Sequence, residues 1–95
     1  MKHQMYVGEF NRCLGDNIPR CARRLDRLGI PTSVIAHKTA LRMERPHDMN
    51  WPDFARAVRS QLNPRNGSVL LHSQRTGNTF LCRNRGNRRS KFERV

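Results

Sequence analysis

The side chains best suited to chemistry crowd the end of this chain. "FLCRNRGNRRSKFERV" (80–95) sets Arg83, Arg85, Arg88, Arg89, Lys91 and Arg94 against one acid, Glu93. A guanidinium keeps its charge and forks two parallel donors onto a phosphate or a carboxylate. Arg75, in the turn before this segment, adds one more. The run is polar and has no apolar period, so it is expected to project as a flexible arm or to lie on a partner. Each phosphate it holds would release condensed counterions, and binding would fall with salt. Phe92 and Val95 are unusual in an electrostatic arm. "KFERV" alternates as a short final strand would, pairing with a sheet edge of its own chain or of a partner.

Catalysis has less to draw on. The acids are Glu9, Asp16, Asp26, Glu44, Asp48, Asp53 and Glu93, and no pair of them falls at an obvious two-metal site. His37 and His72 both read as mid-strand residues that could act as acid and base in RNA cleavage. With Glu9, near the end of the first strand, they form a weak candidate set, and partly buried structural histidines are the simpler reading. No phosphate-cradling glycine loop or nucleophile motif is present. Cys13, Cys21 and Cys82 lack metal-ligand spacing to one another or to a histidine, and read as small buried side chains in a reducing compartment. Neither a metal nor a cofactor is expected.

The composition points the same way. The formal charge is +12, and only Lys2, Lys38 and Lys91 are lysines, so sixteen of nineteen basic residues are Arg. Such an excess fits nucleic acid or an acidic protein surface; an arginine-rich coding bias would also produce it. With 95 residues, 36% of them hydrophobic, the chain makes one domain with a small core, and a homodimer burying further apolar surface through Phe92 and Val95 is expected. No signal peptide or membrane-length apolar run is seen, which predicts a cytoplasmic protein.

The elements that must position these groups read as follows. "QMYVGEF" (4–10) alternates as a strand, with either Tyr6 and Phe10 or Met5, Val7 and Glu9 turned away from the helices. Asp16 or Asn17 caps a helix with Pro19 in its first turn; Ile18, Cys21, Ala22, Leu25 and Leu28 line its apolar face, and Gly29 stops it. "PTSVIAHKTALRM" (31–43) is one bent strand or two short ones around 37–40. "ERPHDMN" reads as a loop, and Asn50 caps a second helix whose stripe is Trp51, Phe54, Ala55, Val58 and Leu62. "SVLLHSQ" (68–74) and "NTFLCRN" (78–84) make a hairpin through 75–77.

This order predicts an α+β fold, a ferredoxin-like α/β sandwich. Its antiparallel sheet carries two helices on one face, with an Arg-rich C-terminal extension: residues 1–84 form the domain and 85–95 a basic tail, in which a terminal strand is the alternative. A different α+β arrangement with a three-stranded meander competes. The bare sheet face of such a sandwich is a stacking platform in RNA-binding members, but "GNTFLCRNR" lacks the RNA-recognition signature.

The "MYVGEF" strand, the basic helix ending in Gly, "SVIAHKT" and "FARAVRSQLNPRNGSVLLHS" together resemble, as topology and residue character, one small ferredoxin-like family. It includes the CRISPR adaptation endoribonuclease subunit and the virulence-associated toxin D. The resemblance spans most of residues 5–82 and implies a dimer whose terminal strands pair across the interface. In that family the first strand ends on an Asp that binds metal across the dimer; "GEFNRC" offers Glu9 and Asn11 instead. The expected function is non-catalytic binding of RNA or DNA phosphates. The alternatives are a metal-dependent endoribonuclease or toxin, and a phage or mobile-element inhibitor of an acidic host enzyme.

Overall fold

Alternation in the first strand decides the layout of the protein. In β1 (Gln4–Asn11) Tyr6, Gly8 and Phe10 are buried, while Glu9 and Asn11 are exposed. The aromatic side therefore meets the helices, and Met5, Val7 and Glu9 take the other face. The computed structural model describes residues 4–86 and 88–95, with Asp16 and Arg89 by backbone alone.

After β1 come α1 (Ile18–Arg27), β2 (Thr32–Ile35), β3 (Ala40–Arg45), α2 (Trp51–Arg59), β4 (Asn66–Ser73), β5 (Thr79–Arg85), β6 (Arg88–Arg89) and β7 (Glu93–Arg94). The strands form one open antiparallel sheet in the order β2-β3-β1-β4-β5-β6, and β7 pairs further back along β5.

Both helices begin where an asparagine side chain satisfies a free N–H. Asn17 Oδ1 accepts from Arg20 N at 3.1 Å, and Asn50 Oδ1 accepts from Asp53 N at 3.0 Å, each with Pro in the first turn. Cys21, Ala22 and Leu25 of α1 and Phe54 and Val58 of α2 enter one core cluster. The sheet supplies Tyr6, Phe10, Leu41, Met43, Val69, Leu71 and Cys82 to it. Leu28 was expected on this stripe but is 50% exposed, because the helix has already ended there. Trp51 is only half-buried and sits at the rim, 5.8 Å from the Tyr6 ring and 5.1 Å from Phe80. No helix among the described residues is long and apolar enough to cross a membrane.

Residues 31–43 resolve into two strands joined by a tight turn. Ala36, His37 and Lys38 are all left-handed, with φ of 52°, 54° and 68°. Non-glycine residues enter that region at about 1–2 kcal/mol each, which is why the turn is not legible from propensity. His37 is thus an exposed turn residue rather than a mid-strand one. β3 also continues through Glu44 and Arg45, which the sequence assigns to the following loop.

The arginine-rich end does not project. After Gly86 (φ 55°) the chain turns back, and β6 and then β7 pair with β5. Between them Ser90 holds Arg83 three ways. Its N–H donates to Arg83 O at 2.9 Å, its hydroxyl donates to the same oxygen at 2.7 Å, and Arg83 N donates to the hydroxyl oxygen at 2.6 Å. Phe92 packs on its own chain's Trp51, with ring centroids 5.9 Å apart, and is half-buried; Val95 is 78% exposed.

Two outcomes test this core. Phe54 is fully buried, 4.9 Å from the Tyr6 ring, so Phe54→Ala should cost about 3–5 kcal/mol in denaturant unfolding. Burial first, and the Cys13 thiol hydrogen-bonded beside it second, push Cys21 from 9.0 up to about 12. A raised thiol pKa favours the neutral form, so the unfolded chain loses this proton first as pH rises. Stability should be full below pH 9.0 and fall between there and about 12. Cys21→Ala, whatever its baseline, should show a shallower fall in urea midpoint over that window.

Candidate nucleic-acid interface

Three loops meet at one end of the sheet because a single asparagine is hydrogen-bonded to each. Asn63 N donates to Arg12 O at 3.0 Å, tying in the end of β1. Its side-chain oxygen accepts from Arg65 N at 3.0 Å and more weakly from Asn66 N at 3.4 Å, shaping the α2–β4 turn. Its carbonyl accepts from Asn84 Nδ2 at 3.2 Å, and Gly86 N donates to Arg65 O at 2.6 Å, which bring in the end of β5. Leu14 N donates to Gln61 O at 3.0 Å and Cys13 bridges Leu62, closing the β1–α1 loop onto the same place.

On the helix-free face this end carries a shallow cavity of about 260 Å³. Two cross-strand rows line it. Asn11, Ser68 and Arg83 face one another across β1, β4 and β5, and Asn66 and Arg85 form the next row, which Arg88 of β6 extends. Arg83, Arg85 and Arg88 are exposed. Neither row contains a carboxylate. The nearest acids on this face, Glu9 and Glu93, lie one row inward, separated by Leu70 and Leu81. Cations ringed by amide and hydroxyl groups suit an anion with several acceptor oxygens, such as a phosphodiester.

The chain topology sharpens this polarity. Exposed Arg12 and Arg65 stand on the connected loops, and Lys38 sits in the β2–β3 turn at the same end of the sheet. Asp26, Glu44, Asp48 and Asp53 belong to elements and loops at the opposite end. Asp16 occurs in the β1–α1 loop; its side chain is outside the described residues.

Of the arginines singled out in the sequence, Arg83, Arg85 and Arg88 come together. Arg75 does not, because the β4–β5 turn lies at the far end of β5. Arg94 pairs with Phe80 near that far end, and Lys91 is exposed between β6 and β7. Arg89 pairs through its backbone with Asn84, and its side chain is outside the described residues. Sequence reasoning missed Arg12, Arg65, Asn11, Asn66 and Ser68. Arg65 and Asn66 belong to the "NPRNG" turn, which says nothing about what it will touch.

Of the weak catalytic set, Glu9 and His72 are diagonal neighbours on the open face of β1 and β4, and His37 stands apart from them. Glu9 is exposed beside Ala40 and Leu70 in its row, and His72 stands between Val7 and Thr79 one row away, its Nδ1 2.8 Å from Thr79 Oγ1. His37 is on the β2–β3 turn. Among the described residues no three His, Cys, Asp or Glu side chains gather as a metal site would require. Comparison of the chain with protein families, with curated proteins and with solved structures gives no match.

The cavity floor depends on Gly67. A Cβ there would lie 2.9 Å from Arg12 O, 3.2 Å from Asn63 N and 3.3 Å from Asn11 O, all backbone atoms with little room to yield. Gly67→Ala should therefore cost about 1–3 kcal/mol in thermal or urea unfolding. A variant as stable as the parent would show that this end of the sheet is looser than described.

Proposed function

We propose that this protein binds nucleic acid without cleaving it, through phosphates held at the cationic end of the sheet. The observation that carries the reading is the convergence of Arg83, Arg85 and Arg88 with Asn11, Asn66 and Ser68 in two rows free of carboxylate. Arginines fixed on paired strands meet a phosphate with less ordering cost than the same residues on a flexible arm. The reading assigns these side chains to phosphate oxygens, a contact that positions a strand and carries no sequence information of itself. The ferredoxin-like reading is part of the proposal. The order β2-β3-β1-β4 with two connecting helices supports it, β5 to β7 then being an extension of that sheet.

Fluorescence anisotropy with labelled oligonucleotides over a salt series tests it. With three to five phosphates held, log K should fall against log salt with a slope of about −2 to −4. The triple variant Arg83→Gln, Arg85→Gln, Arg88→Gln should weaken binding and flatten the slope by about 2 units. Arg75→Gln, at the other end of the sheet, should change little. Absent binding, or binding indifferent to both salt and the triple variant, would sink the proposal.

A further inference from the structure

Across the sheet from the first cavity lies a second, of about 270 Å³, on the helix side. Its apolar wall is Leu14, Leu62 and Pro64, and its polar wall is Arg56, Arg59 and Ser60 at the end of α2. Asn84 lines both cavities, and its hydrogen bond to Asn63 O makes the α2–β4 turn the partition between them. The lining holds two cations and no carboxylate. Arg56 does stand 3.6 Å from Asp53, but both ends of that pair are well exposed, 76% and 58%, and such pairs hold weakly. Arg59 approaches Cys82, where its charge opposes the burial that raises that thiol.

We propose that this second cavity holds one unpaired nucleotide, so that the ligand is a single strand passing around the end of the sheet. The inference rests on the phosphate reading of the open-face cavity and extends it. A purely phosphate-binding site would have no use for an apolar wall, and a purely apolar one would not seat two arginines. A nucleotide is apolar on the faces of its base and anionic at its phosphate, so it matches both walls together. The volume lies just under the roughly 300–1,000 Å³ of ordinary small-molecule sites, which limits the occupant to one base. A strand leaving Arg83 and Arg85 reaches this cavity by crossing beside Asn84 and Arg65. A duplex keeps its base faces stacked inside and can offer this wall nothing.

The test compares three labelled ligands of one length at one salt concentration: a single strand, its duplex, and a strand of the same phosphates with abasic sugars. The single strand should bind about tenfold tighter than either of the others. Pro64→Glu, at an exposed position on the apolar wall, should bring the single strand down to the level of the abasic one. Arg56→Gln, on the exposed face of α2, should weaken the single strand more than the duplex, and thermal melts would verify that both variants are folded. Equal affinity for all three ligands, lost on changing Arg83, Arg85 and Arg88, would overturn the nucleotide site while leaving the phosphate site standing. If no ligand binds, the phosphate reading fails and takes this one with it.

Discussion

The backbone of β1 passes so close to Gly67 that no side chain fits between them. The end of the sheet that carries the cationic rows depends on that approach. With Arg12 O, Asn11 O and Asn63 N all within 3.3 Å of where a Cβ would stand, β1, the α2–β4 turn and the start of β4 form one packed backbone unit. Asn63 then satisfies the polar groups that such packing would otherwise leave unpaired, linking Arg12, Arg65, Asn66 and Asn84. Loops usually gain function by being free to vary. Here three loops are tied to one another, and the arginines they carry inherit fixed positions.

Fixing the position of charge does more than the excess of charge alone. A net charge of +12 spread evenly would give a weak, undirected attraction for any polyanion. In this fold the far end of the sheet holds Asp26, Glu44, Asp48 and Asp53, and the near end holds Arg12, Lys38, Arg65 and Arg85. Antiparallel topology produces this separation because alternate loops fall at alternate ends. A basic residue after β1 and another after α2 are distant in sequence yet adjacent in space.

The sequence was most readable where structure is local. Asn17 and Asn50 announce their helices, and the apolar stripes that follow place Leu25, Phe54 and Val58 in the core, since capping and periodicity act within a few residues. Of the last eleven residues only the final strand was readable, "KFERV" alternating as β7 does where it pairs with β5 of its own chain. "RNRGNRRSK" has no apolar period, and what holds it is Ser90 on the backbone of Arg83 and Phe92 on Trp51, contacts between segments whose sequences do not refer to each other. The site suffered likewise. Arg83, Arg85 and Arg88 were visible as a run, whereas Asn11, Asn66 and Ser68 had no signal of their own and acquire a role only through strand register.

The returning strand also places like charges together. Arg85 and Arg88 are directly paired across β5 and β6, an arrangement that disfavours the folded pairing. A flexible tail would avoid the repulsion by letting the two separate. Ser90 prevents this, since its backbone and hydroxyl bonds to Arg83 hold the next residues in register. Under the proposed function, an anion seated between the guanidiniums would convert the repulsion into two attractions at once, and that relief would add to its binding. Bound ligand and folded tail would then stabilise each other, because whatever binds only the folded form shifts the folding equilibrium toward it. The like-charge pairing of Arg85 with Arg88 is thus the contact that a phosphate would change most.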